Sequence, residues 1–68
     1  MKFYIKERYN PQFNNPYFIA CGQMSAKDAK KAESATYGAN IMNGYETKEE
    51  YEAAQERLKS EGFRVTTY

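Results

Sequence analysis

The sequence predicts a small α+β domain. An antiparallel sheet, made of an N-terminal hairpin and a C-terminal strand, carries two helices on one face, in the order β-β-α-(β)-α-β. Three observations predict it. Residues 2–9 and 63–68 alternate apolar and polar side chains, the period of a half-buried strand. Residues 47–62 carry a helix start signal, one apolar face and a terminal glycine. Between them, Ala26, Ala29 and Ala32 recur at helical spacing.

In the first strand, Lys2 to Tyr9, Phe3 and Ile5 point one way, and Lys2, Tyr4, Lys6 and Arg8 point the other. Residues 10–16 read as a loop, because Pro11 and Pro16 lack the N–H that a ladder needs and Asn favours turns. Tyr17 to Gln23 returns as the second strand of the hairpin. Ser25 is a suitable N-cap, with the charge of Asp28 in the first turn. The helix that follows runs through Ala26, Ala29 and Ala32 towards Ala35, and Gly38 is its natural stop. A face of methyl groups must sit close to its neighbour, and Ala20 and Gly22 on the second strand are small enough to receive it.

Ala39 to Glu46 mixes apolar Ile41, Met42 and Tyr45 with turn-favouring Asn40, Asn43 and Gly44, which fits a short strand or an ordered loop. Thr47-Lys48-Glu49-Glu50 has the form of a capping box. The helix it opens runs to about Glu61, with Tyr51, Ala54 and Leu58 on one face and Glu52 and Glu56 towards water. Gly62 stands where a left-handed C′ residue is needed, and Phe63 folds back onto the helix. Phe63 to Tyr68 is the last strand, with Phe63 and Val65 facing in.

The 68 residues make one domain, 1–68. Ile5, Ile19, Ile41, Leu58 and Val65 are its only Ile, Leu or Val, so four Phe, seven Tyr and three Met must supply much of the core. A net charge of +1 and the high aromatic share argue for a folded chain rather than a disordered one. No stretch approaches the roughly 18 apolar residues of a membrane span. The opening Met1-Lys2-Phe3-Tyr4-Ile5-Lys6 has no apolar signal region. With a single cysteine, these features lead us to expect a cytoplasmic protein.

The absence of histidine narrows the chemistry. No Ser-His or Cys-His pair can form, and one thiol without His cannot build a tetrahedral zinc site within the chain. Glu7, Glu33 and Glu46 have no spacing that selects a catalytic pair, and the four glycines are too scattered for a phosphate loop. We expect no enzyme, no cofactor and no metal. Cys21, between Ala20 and Gly22, reads as a buried small hydrophobe. Charge is unevenly spread. Residues 1–31 hold six cations against Glu7 and Asp28, about +4, while residues 32–68 hold four cations against seven glutamates, about −3.

Three surfaces follow from this pattern. The sheet face turned away from the helices would show Tyr4, Lys6, Arg8, Arg64 and Tyr68, an aromatic and basic mixture suited to stacking bases and tracking phosphates. Seven tyrosines exceed what so small a core can bury, and Tyr is enriched at protein interfaces, with Phe13 in the 10–16 loop as the best single anchor. The glutamate-rich second helix is a third candidate, as an imitation of nucleic-acid phosphates, diluted by Lys48, Arg57 and Lys59.

The tiny chain, its opening hairpin after Met1-Lys2 and the helix Ser25-Ala26-Lys27-Asp28-Ala29-Lys30-Lys31-Ala32 directly after it give a plan that resembles small accessory proteins of phages and mobile elements, anti-CRISPR proteins among them. The resemblance implies a non-enzymatic protein that binds a larger host or phage protein, or a ribonucleoprotein complex. The leading expectation is therefore an inhibitor or modulator that engages another protein. Single-stranded nucleic-acid binding through the Tyr/Arg face is the alternative, and a homodimer through the C-terminal strand edge is a third reading.

Overall fold

The computed structural model describes residues 1–9, 16–34 and 39–67. Its elements are β1 (Lys2–Tyr9), β2 (Tyr17–Met24), α1 (Ala26–Ser34), β3 (Ala39–Tyr45), α2 (Lys48–Ser60) and β4 (Val65–Thr67). The class and the order of elements are those expected, and of the segment 39–46, read as strand or loop, Ala39–Tyr45 form a strand. The four strands form one sheet in the order β3-β1-β2-β4.

The sheet is mixed rather than antiparallel. β1 is antiparallel to β2 and to β3, and β4 runs parallel to β2. The reason is topological. β3 and β2 both oppose β1, so they share a direction, and α2 carries the chain back along the sheet before β4 begins. A strand reached by such a crossover runs parallel to the one it left. β4 is joined by the Phe18 amide donating to the Arg64 carbonyl at 2.9 Å.

The two helices cover opposite faces of this sheet. Phe3 stacks on Tyr51 of α2 at 5.3 Å, and Ile5 and Phe18 pack on Ala54, so the odd positions of β1 face α2. Tyr4 and Lys6 have the opposite parity, yet they are only 8% and 7% exposed. A lysine on an open sheet face stays solvated, so a second layer must lie over them, and α1, which packs on β3 and β1, supplies it. The hand of the connections requires the same result. β2-α1-β3 and β3-α2-β4 each join parallel strands but cross the sheet in opposite directions, so right-handed crossovers place their helices on opposite sides. The extents of 33 × 28 × 14 Å agree, the smallest matching three strand spacings of about 4.8 Å each. Both helices on one face, the sequence expectation, is therefore replaced by one on each.

Local signals explain the helix ends. The Ser25 hydroxyl accepts from the Asp28 amide at 3.2 Å, and the Thr47 hydroxyl from the Glu50 amide at 3.1 Å. At the end of α2, Gly62 takes φ +93°. Its amide donates to Lys59 and the Phe63 amide to Leu58, both at 3.0 Å. These are the paired bonds of a Schellman turn, and they swing Phe63 back so that its ring meets Phe18 edge-on at 5.3 Å.

A bulge breaks the β1–β2 register. Tyr4 opposes Gly22 and Ile5 opposes Ala20, so Cys21 is the extra residue. Gly22 sits at φ +80°, a conformation that costs an L side chain roughly 1–2 kcal/mol. Its amide donates to the Tyr51 hydroxyl at 2.9 Å. The bulge thus ties β2 to α2 through the polar tip of a core ring. Tyr51→Phe is expected to lower stability by about 1–2 kcal/mol, because the half-buried Gly22 amide loses its acceptor. Urea unfolding followed by circular dichroism checks this, with an unchanged midpoint counting against it.

Candidate interaction surfaces

The register locates each expected site residue. Tyr4, Lys6 and Arg8 share one face of β1, as alternation requires, but it is the face that α1 covers. Tyr4 and Lys6 are buried and Arg8 is half-buried, so the first two contribute no open surface. The Tyr4 ring lies across Gly44, where an added Cβ would meet it at 3.1 Å. Arg64 is exposed at the entry to β4. Phe13 and Tyr68 lie outside the described residues. The continuous Tyr/Lys/Arg platform expected from the sequence is therefore not formed, because β1 is central and has a helix on each side.

Part of that face is only half-covered by the described residues. α1 packs on β3 and β1, which leaves the same side of β2 and β4 without a helix among the described residues. There Tyr17 stands opposite Arg8, and Ile19 stands between Lys6 and Thr66. Tyr17, Ile19 and Thr66 are half-buried. The Thr66 hydroxyl reaches the Phe18 carbonyl at 3.5 Å. Cys21 borders this strip. Burial pushes its thiol above the ordinary value, against the opposing pull of the Lys6 amide and the Lys6 charge. The thiol donates to the Ile19 carbonyl at 3.5 Å, and Cys21 is half-buried rather than the buried small hydrophobe expected from the sequence, because the bulge takes it out of the β1–β2 register.

A second surface lies on the α2 side. α2 meets Phe3 through Tyr51 in its first turn, and Phe63, just past its end, meets Phe18. Among the described residues, no element covers the far corner of β1 and β3. Tyr9 is 44% and Ile41 51% exposed there, the only large apolar side chains so exposed among the described residues apart from Met1. Glu7 pairs with Ile41 and Tyr9 with Ala39, so Tyr9 and Ile41 are diagonal neighbours on one face. Sequence reasoning did not single out either. The alternation of β1 already placed Tyr9 beside Ile5 and Glu7, whereas Ile41 needed the β1–β3 register.

The helices differ in charge. α1 exposes Lys27, Lys30 and Lys31 against Asp28 and Glu33, while α2 exposes four glutamates against Lys48, Arg57 and Lys59. With the helices on opposite faces, the imbalance between the two halves of the sequence becomes an imbalance between two sides of the molecule. The ion pairs Lys2–Glu46 at 3.1 Å, Lys59–Glu56 at 3.8 Å and Lys48–Glu52 at 4.0 Å are all well exposed, and such pairs contribute little to stability.

Among the described residues, no group of three or more acidic or thiol side chains converges to hold a metal, and no helix is long and apolar enough to cross a membrane. Comparison with known proteins found no matching family model, no matching curated protein and no matching solved structure.

Proposed function

We propose that this chain is a non-catalytic binding domain that engages a larger protein as an inhibitor or modulator, in the manner of the small phage accessory proteins its plan resembles. The observation that carries this reading is the Tyr9/Ile41 corner. A core this short of aliphatic residues gains by burying every one, yet it leaves an isoleucine half in water beside a tyrosine. An amphipathic ring next to a branched aliphatic chain is a suitable anchor for a protein surface. The test is capture from host-cell lysate with the tagged domain, with and without nuclease, comparing wild type with Tyr9→Ser and Ile41→Asp. The expected result is a discrete, nuclease-resistant protein that both variants lose by tenfold or more. Capture unaffected by either variant removes this surface from the proposal.

A second reading rests on the half-buried strip at β2 and β4. Tyr17, with the exposed Arg64 nearby, supplies a ring and a guanidinium group for a single strand of nucleic acid. That reading calls for affinity that falls steeply with salt and weakens in Arg64→Ala.

A further inference from the structure

The residue after each asparagine decides how readily its side-chain amide is lost, because the next backbone nitrogen is the group that attacks Cγ. Asn10 and Asn15 precede proline, Asn14 precedes Asn15, Asn40 precedes Ile41 and Asn43 precedes Gly44. Proline has no N–H to give up, a β-branched residue crowds the approach, and glycine leaves it open. Asn43-Gly44 is therefore the reactive pair of this chain. It lies on β3, an outer strand with β1 on one side. The Met42 amide donates to Oε2 of Glu33, on α1, at 3.3 Å, so it points away from β1. Amides alternate in direction along an antiparallel strand, so the Gly44 amide also points away and takes no part in the β1 ladder. Gly44 is exposed, which admits the hydroxide and water the reaction needs. Glycine is also fixed at this position. A Cβ there would meet the Tyr4 ring at 3.1 Å and the Lys2 side chain at 3.3 Å. The packing of the sheet thus retains the residue that makes its neighbour labile.

We propose that Asn43 is a spontaneous modification site, converted to aspartate and isoaspartate through a succinimide closed by Gly44, at a rate held down by Glu33. The Gly44 nitrogen gives its proton to hydroxide and bonds to Cγ of Asn43. The Cγ–Nδ2 bond breaks, and the leaving nitrogen takes a proton from water and departs as ammonia. Water then opens the ring. Cleavage at Cγ gives aspartate, and cleavage at the backbone carbonyl gives isoaspartate, with the chain running through the former side chain. One water is consumed, one ammonia is released, and no oxidant is needed. In the extended strand the Gly44 nitrogen is held away from Cγ, so the attack requires residues 43–45 to open locally from β1. An outer strand gives up ladder bonds on one side only, and the Glu33–Met42 bond holds it from the other. Either product places a carboxylate on the α2 side of the sheet, where Asn43 stands opposite Ile5, only 1% exposed. Isoaspartate also lengthens the backbone of β3 by one carbon, which shifts Gly44 and Tyr45 off Tyr4 and Phe3. The converted chain is therefore the less stable one.

The test is peptide mapping by mass spectrometry of the purified chain, aged at mildly alkaline pH in urea from zero to beyond the unfolding transition, for wild type and Glu33→Ala. The amide-to-acid mass gain should appear at Asn43 at least tenfold faster than at Asn10, Asn15 or Asn40, with isoaspartate in excess of aspartate. Below the transition the rate should hardly change with urea, as local opening requires, and it should rise tenfold or more once the chain unfolds. Glu33→Ala should raise the rate below the transition threefold or more. The isolated isoaspartyl form should unfold at a lower urea concentration than the unaged chain. Conversion of folded wild type at Asn43 no faster than at Asn40 overturns the proposal. Aspartate formed without isoaspartate, the mark of direct hydrolysis, does the same. A rate that climbs with urea from the first addition means that only the unfolded chain reacts, and it too overturns the site. Equal rates for folded wild type and Glu33→Ala overturn the part assigned to Glu33. The reaction needs no partner, so its outcome is independent of whether one is captured from lysate.

Discussion

Phe18→Ala is expected to leave the domain largely unfolded at 25 °C. Phe18 is buried, packs with Ile5 and Ala54, and takes the edge of the Phe63 ring. Truncating a buried Phe to Ala costs about 3–5 kcal/mol, for the lost transfer energy and the cavity left behind. A domain below about 70–80 residues rarely has more than about 3–5 kcal/mol in its core. The two figures are of the same size, so the substitution removes nearly all the stability rather than a share of it. The site is also hard to collapse. Phe18 lies between α2, through Ala54, and β4, through Val65, and the Phe63 ring is held by the Schellman turn. Phe18→Leu keeps most of the volume and should cost under about 1.5–2 kcal/mol. Urea titration of both variants by far-ultraviolet circular dichroism checks the pair. A cooperative transition in Phe18→Ala with its midpoint near that of wild type would contradict the core described here.

Ala29→Leu should destabilise by about 1–3 kcal/mol, by overpacking rather than by loss. Ala29 is only 4% exposed, on the helix that covers β3 and β1. The layer beneath is already tight, since the Tyr4 ring fills the space above Gly44. Three extra carbons at Ala29 have no room unless α1 lifts, and lifting it would uncover Tyr4 and Lys6. Ala53→Leu is the control. Ala53 is exposed on α2, so the same change there should stay within about 0.5 kcal/mol. Equal thermal midpoints for the two variants would mean that α1 does not sit close to the sheet.

Close packing of α1 was legible from its alanines, but its neighbour was not. Ala20 and Gly22 of β2 were the expected receivers, chosen for their size. Ala20 instead pairs with Ile5 in the register of the α2-covered face, and Gly22 is small because the bulge needs φ +80° there. Both residues are small for reasons unrelated to α1. The expected Tyr/Lys/Arg platform failed on the same point. Alternation correctly placed Tyr4, Lys6 and Arg8 on one side of β1, but it carries no information on what lies above that side.

The sequence by itself determined most of the elements and several of their ends, although it left 39–46 as strand or loop and ran the last strand over 63–68 where β4 is Val65–Thr67, and the helix stop expected at Gly38 lies outside the described residues. Period-two alternation, two hydroxyl caps and a C′ glycine act over a few residues, so they can be read locally: β1, the Ser25 and Thr47 starts, and the Gly62 turn with Phe63 folded back all follow from near neighbours. Only the tertiary structure decided the direction of β4, the placement of one helix on each face, the bulge at Cys21, and which side chains stay exposed. Each of these depends on strand order and on the hand of two crossovers, which join residues tens of positions apart. Tyr9 and Ile41 are 32 residues apart in the chain, and they became a surface only when β3 paired with β1.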